Sequence, residues 1–372
     1  MESPFRLTLY DKSFARQGWL GDPIEVTATP AHNGPQGLTV TVSSLSEKAP
    51  ILLEPGSRIV AQYRGEHLIS GPVRSRSGKG PGRAGTMTFT VEDDWRLLQR
   101  VLGWPVPSAQ ITGQGAAEYD VVSGPAETVL KTLLTRNAVN RRGLPVTVAP
   151  DRRRGANITV SARFHPLADI LLSALDTAGI GVTVRQSGSG LMVDVYEPTV
   201  HARELNDESG VVAEWEWASE APEATDIVVG GQGEGTARQF ALFQNAARAA
   251  EWGDVIEVFR DARDTNAGDV FAQRAVETFA ETAEKTGLKI RLSETENFRY
   301  GRDGVHVGDR VSLRVGPDLV VTDILRSAEL TWKAESGLEV TPKIGEIADS
   351  DDEVLAKAVR RTASALRDMR SR

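Results

Sequence analysis

Cysteine is absent from the 372 residues, which rules out a disulfide scaffold, a thiolate metal site and a cysteine nucleophile. Stability has to come from packing or from partner subunits. No window approaches the run of about 18 apolar residues that a membrane helix needs, and Met1-Glu2-Ser3-Pro4-Phe5-Arg6 carries no apolar signal core. The expectation is a chain made in a cytoplasm, without a cleaved leader or a membrane anchor. Histidine is scarce: the five (His32, His67, His165, His201, His306) are scattered, with no His-Glu-x-x-His pair. No Gly-x-Ser-x-Gly elbow occurs either. Catalytic, metal and cofactor residues are therefore all expected to be none.

What is present suits folded domains, because 40% hydrophobic and 25% charged residues are ordinary for globular cores and this length suggests two or three of them. The formal net charge of -8 is unevenly placed: residues 201–300 hold 10 basic against 20 acidic side chains, while the other segments nearly balance. Such a field repels phosphate and argues against a nucleic-acid-binding module, although it suits a surface along which DNA slides without sticking.

From Phe5 to Val91 the pattern is β. Alternation runs through Phe5–Tyr10, Gly37–Val42, Ser57–Tyr63 and Gly85–Val91, separated by His32-Asn33-Gly34-Pro35, Glu54-Pro55-Gly56 and the Gly/Arg-rich Ser77–Arg83. Short antiparallel strands at this spacing close best as a small barrel or sandwich. A short helix follows with Asp93 or Asp94 as cap, Trp95, Leu98 and Leu102 on one face, and Gly103 as stop. Residues 1–104 form the first expected domain.

Residues 105–222 read as a small α+β domain. Pro125 opens a helix with Val129, Leu130, Leu133 and Leu134 at helical spacing, a second helix runs from Pro166 to Gly179, and strands follow at Gly181–Arg185 and Leu191–Tyr196. Residues 223–348 return to β, with strands at Asp226–Val229, Asp254–Phe259, Leu288–Leu292, Asp309–Val315, Leu319–Ile324, Ser327–Trp332 and Glu339–Pro342. Phe271, Ala275, Phe279 and Ala283, four apart with Gly287 as stop, place a helix among them. The fold class is α+β, mostly β: two small antiparallel β-barrels, an α+β insertion and a C-terminal helix. That helix, within 349–372, starts at a capping box, Ser350-Asp351-Asp352-Glu353, and carries Leu355, Val359, Thr362, Leu366 and Met369 as a heptad seam. Leu355, Val359, Leu366 and Met369 are candidate self-association or partner-docking residues, with docking onto the chain's own domain as the other reading.

Several motifs weigh against catalysis on inspection. Adjacent Asp93 and Asp94 at a strand-to-helix junction cap a helix more readily than they act as paired acids. Gly230-Gly231-Gln232-Gly233-Glu234-Gly235-Thr236 lacks the Lys-Ser/Thr ending of a phosphate loop and carries an acid that opposes phosphate. Asp264–Asp269 begins like a calcium loop, yet its twelfth position is Ala275, so it reads as the start of a helix. Arg152-Arg153-Arg154 reads as a solvated loop or as a contact to phosphate or an acidic neighbour, and Asn157-Ile158-Thr159 is only a formal sequon.

The N-terminal β run, Val91-Glu92-Asp93-Asp94-Trp95-Arg96-Leu97-Leu98, Trp104-Pro105-Val106-Pro107, the Gly230–Gly235 run, Trp252-Gly253 with Phe259–Asp264, and Gly308-Asp309-Arg310-Val311 together resemble the minor tail proteins of long-tailed actinobacterial phages. These are tail-hub, or baseplate-hub, proteins, and the likeness spans residues 5 to 347. The resemblance implies a homotrimeric ring at the distal tail tip of the virion, with two tube-like barrels per chain imitating sixfold symmetry. It further implies distal tail, tape-measure and tip or receptor-binding proteins as partners, and DNA only in transit through the lumen. Larger relatives fuse a peptidoglycan-cleaving domain; here only an acidic linker and the short helix follow Gly345, so no enzyme is expected. The alternatives are a carbohydrate-binding host-recognition module, for which alternating Trp215 and Trp217 would stack sugars, and a peptidoglycan hydrolase.

Overall fold

The computed structural model describes residues 3–81, 85–201, 204–206, 212–263, 265–292, 299–302, 304–315 and 319–345. Strand outweighs helix by 44% to 22%, so the protein is α+β and mostly β. The seam residues Leu355, Val359, Leu366 and Met369 lie outside the described residues.

The first module is β1 (Phe5–Tyr10), β2 (Arg16–Leu20), β3 (Pro23–Thr29), β4 (Gly37–Ser43), α1 (Ala49–Leu53), β5 (Arg58–Tyr63), β6 (Glu66–Lys79) and β7 (Thr86–Glu92). Alternating apolar residues create it: Phe5, Leu7 and Leu9 of β1 and Leu38, Val40 and Val42 of β4 point into one core while their neighbours face outward. The strands follow one another as β3-β4-β7-β6-β5-β1-β2. Only Gly21 and Asp22 separate β2 from β3, so the covalent chain, rather than a ladder, closes this circuit around its core.

The middle layer contains α2 (Leu97–Arg100), β8 (Leu102–Gly103), β9 (Asp120–Pro125), α3 (Ala126–Leu134), β10 (Val146–Val148), β11 (Asn157–Ala162), β12 (His165–Pro166), α4 (Leu167–Thr177), β13 (Gly181–Ser187) and β14 (Gly190–Tyr196). Val129, Leu130 and Leu133 of α3 pack with Leu167, Leu171 and Leu175 of α4 in a second core, which also takes Trp95 and Leu98. Leu102 departs from expectation: the helix ends at Arg100, so Leu102 sits in β8 and is more than a third exposed.

The remainder is β15 (Val212–Glu220), β16 (Asp226–Gly230), β17 (Phe240–Gln244), α5 (Ala246–Trp252), β18 (Glu257–Asp261), α6 (Gly268–Glu281), β19 (Lys285–Leu292), β20 (Arg310–Val315), β21 (Leu319–Lys333) and β22 (Gly337–Gly345). Strands expected at 319–324 and 327–332 are one long strand, β21, with an irregularity between Leu325 and Ser327. The helix expected to reach Gly287 stops at Glu281, because Gly287 is paired with Gly345 in the β19–β22 ladder. β16, β17, β18 and α6 make a small unit with its own core of Ile227, Val229, Ala262, Phe271 and Ala275.

The order β15-β19-β22-β21-β20 repeats β3-β4-β7-β6-β5 element for element. β6 and β21 are the long strands of their modules, each pairing one neighbour with its first half and another with its second. Among the described residues the second set has no strand matching β1, and parallel bridges Val200–Arg310 and Leu205–Leu313 set Val200 and Leu205 beside β20. Both modules share one 12-stranded sheet and one buried cluster running from Phe5 to Ile344.

Candidate functional site

The two modules meet where β3 pairs antiparallel with β21, aligning Ala28 with Leu330, Thr27 with Thr331, Val26 with Trp332 and Glu25 with Lys333. Alternation sorts this joint into two faces. Val26, Ala28, Leu330 and Trp332 are buried, while the Thr27 and Thr331 hydroxyls lie 3.3 Å apart and Lys333 Nζ lies 3.4 Å from Glu25 Oε1. The ladder hydrogen bonds and apolar pairs hold the joint; the half-exposed ion pair adds about 0.2–1 kcal/mol and mainly fixes register.

The turn after β3 carries a polar lock. Asn33, at φ 45°, donates from Nδ2 to Asp176 Oδ1 (2.5 Å) and to the Ile180 carbonyl (2.9 Å), and its Oδ1 accepts from the Val182 backbone N–H (2.9 Å). His32 Nδ1 lies 2.6 Å from the Tyr196 hydroxyl and its Nε2 3.3 Å from Asp176. Arg326 of β21 donates to the second Asp176 oxygen at 3.1 Å. Burial alone raises the Asp176 carboxyl, but His32, Arg326 and Asn33 outweigh it and hold the group below its ordinary value. One carboxylate thus ties the first module, α4 and β21 together. Gly308, at φ 96°, belongs to the same contact: a Cβ there would stand 2.5 Å from the Tyr196 ring.

A second lock joins β5, β6, the single 3-10 turn Asp94–Arg96 before α2, and β13. Arg58 Nη2 lies 2.6 and 2.8 Å from the two Asp94 oxygens, Ser70 Oγ donates to Asp94 at 2.8 Å, and Arg58 Nε donates to Gln186 at 2.8 Å. Asp93 caps the turn, accepting from the backbone N–H groups of Trp95 (3.0 Å) and Ser70 (3.2 Å). Burial, with the Asp94 charge adding to it, pushes the Asp93 carboxyl up to about 7, and burial also raises Asp94. Asp93 is the helix cap that its position in the sequence implies, and Asp94 is held by Arg58. Arg154 meets acidic neighbours rather than solvent: with Lys131 it encloses the buried Glu127 and reaches Asp194 at 3.0 Å.

A cavity of 510 Å³ lies between these locks, lined in part by Tyr63, His67, Asp93, Arg185, Tyr196 and Tyr300. Burial, and then Arg185, lower the His67 imidazole to about 4. At its rim His306 Nε2 lies 3.0 Å from Glu66, and Asp309 is the main cause of a His306 pKa raised to about 9. Among the described residues no group of three or more His, Cys, Asp or Glu side chains is placed to hold a metal ion.

The family model described as Siphovirus ReqiPepy6 Gp37-like protein matches residues 6–346. The chain belongs to this siphovirus family. Its fold is shared with a prophage MuSo2 43 kDa tail protein from Shewanella oneidensis (TM-score 0.59, 11% identity, covering 91% of this chain and 97% of that one). The same holds for a tail protein from Neisseria meningitidis MC58 (0.57, 10%, 92% and 96%) and prophage tail protein gp18 from Listeria monocytogenes EGD-e (0.56, 13%, 95% and 98%). No curated protein sequence matches the chain. The family is a siphovirus family and the fold is that of these tail proteins, which bears out the sequence resemblance.

In this Gp37-like chain the glycine run at 230–235 serves packing. Gly230 lies beneath a stack in which Arg238 covers the Phe240 and Phe259 rings at 5.5 and 5.3 Å, and a Cβ at Gly230 would stand 2.7 Å from Phe259. Gln232 N–H donates to the Asn266 side chain at 2.8 Å. The outer face of β17 and β18 leaves Phe240, Leu242 and Phe259 more than half exposed, an apolar patch of the kind that marks protein contacts. Trp215 lies in β15 and is 41% exposed; the Trp217 side chain is outside the described residues.

Proposed function

We propose that the chain is a tail-hub subunit: three copies form a ring at the distal tip of the tail, join the tube to the tip and let DNA pass. The observation that carries this reading is the repeated strand order, two matched β modules held side by side by the β3–β21 ladder. Three such chains place six similar modules around one axis and convert sixfold into threefold symmetry by geometry alone. The work is done by shape, with no catalytic role. The proposed division is 1–104, 105–199, 200–348 and 349–372; the boundary expected at 222 moves to about 200 because β15, Val200 and Leu205 pair within the second module. Other tail proteins are the proposed partners, with the β17–β18 patch and the seam Leu355, Val359, Leu366 and Met369 as docking surfaces. Deleting residues 350–372 tests the seam: loss of partner binding or particle assembly is expected, and unchanged assembly overturns that part. Negative-stain imaging of the purified protein tests the ring.

A further inference from the structure

We propose that the ring closes through a strand-to-strand joint between copies, in which β15 of one chain pairs with residues 74–79 of β6 in the next. This rests on the ring reading and specifies how it is built. The argument comes from the repeat. In the described joint, β3 lies along the second half of β21, on the edge opposite β22. The counterparts of those two strands are β15 and the second half of β6. Among the described residues the backbone of β15 pairs only with β19, and that of residues 74–79 only with β7. Arg74, Ser75, Ser77, Gly78 and Lys79 are exposed, and an unpaired strand edge of this kind is a template for another chain.

Register can be carried across from the strand ends. Lys333 opposite Gly337 corresponds to Lys79 opposite Thr86, and Thr29 opposite Gly37 corresponds to Glu220 opposite Lys285. Counting back from these ends, the Lys333–Glu25 pair becomes Lys79–Glu216. Thr331–Thr27 becomes Ser77–Ala218, and Trp332–Val26 becomes Gly78–Trp217. The transferred register thus repeats a lysine–glutamate pair and sets Trp217, one of the two tryptophans of β15, against Gly78. The directly opposed pair Lys79–Glu216 is of opposite charge, while Arg76 falls opposite Ser219 and donates to the Leu52 and Glu54 carbonyls of its own chain. Each copy gives one edge and receives on the other, a heterologous contact that closes a ring.

The test uses the full chain carrying Ser77→Cys and Ala218→Cys, since no native cysteine competes. Oxidation is expected to yield reducible covalent dimers and trimers, with single-cysteine variants giving no trimer. In a second arm, K79E and E216K each weaken the assembly, shifting its dissociation to higher protein concentration, and the K79E/E216K exchange restores it. An assembly of three chains that neither cross-links at these positions nor responds to the charge changes overturns the joint and leaves the ring standing. Chains that stay single by mass and never cross-link overturn both.

Discussion

Trp332 lies opposite Val26 in the ladder joining β21 to β3, and both are buried although they come from opposite ends of the chain. This contact couples the two modules. Trp332→Ala is expected to cost about 3–5 kcal/mol, as for other large-to-small changes in a core. Lys333→Ala, at a half-exposed ion pair, costs under about 1 kcal/mol. Urea unfolding curves of the two variants check the contrast.

Arg58 and Asp94 give a second prediction. Both side chains are nearly inaccessible to solvent, so Asp94→Ala leaves a buried guanidinium without its carboxylate and destabilises by about 3–5 kcal/mol. Replacing both with apolar residues of similar volume recovers most of the loss, since the pair's desolvation cost disappears with it. Stability of the single and double variants in a mutant cycle separates these effects.

Three groups make stability depend on pH, Asp93 and His67 in opposite senses over nearly one range and His306 in a higher one. Asp93 titrates near 7 when folded against an ordinary 3.8, so the folded chain holds a proton the unfolded chain has released, and stability falls as pH rises from about 4 to about 7. His306, raised from 6.5 to about 9, contributes stability that is complete below 6.5 and lost as pH climbs to 9. His67, lowered from 6.5 to about 4, acts in the opposite sense: its contribution is complete above 6.5 and lost on acidification toward 4. The Asp93 and His67 contributions offset between about pH 4 and 6.5, so Asp93→Asn is expected to leave stability rising with pH there, and His306→Gln to flatten the decline above 6.5. Thermal melts across pH 4 to 9 provide the readout.

Asn33→Ala removes a side chain that satisfies a backbone donor, a backbone acceptor and the Asp176 carboxylate. Each buried group left unpaired costs about 1–3 kcal/mol. Amide exchange at Val182 and along β13 is expected to accelerate selectively, while β10 is unaffected.

Much of this architecture was legible in the sequence because local patterns decide local structure. Alternation marked β1, β4, β5 and β7 and most strands of the second module but not β2, β3 or β6, whose Ser77–Lys79 end reads as a turn in the sequence; Pro125 and Pro166 stand at the starts of α3 and α4, and Gly179 at the end of α4 adopts the positive φ that a helix stop uses. β17 and α5 were missed although signals existed: Asn245 caps α5 by accepting from the Arg248 N–H at 3.0 Å, and Gly253 ends it in the left-handed region. The polar locks were not legible. Nothing near Asn33 announces that its side chain reaches α4 and β13, because that contact exists only after distant segments have folded. The β3–β21 joint is invisible for the same reason, and with it the repeat of strand order that carries the functional argument.

The central claim is a ring of three chains built from paired modules. Its most direct test is the mass and rotational symmetry of the purified, full-length protein at high concentration, by native mass spectrometry and negative-stain imaging. The account predicts the mass of three chains and a threefold ring showing six similar lobes around an open lumen. Single chains at every concentration, or a closed ring of another copy number, would contradict it.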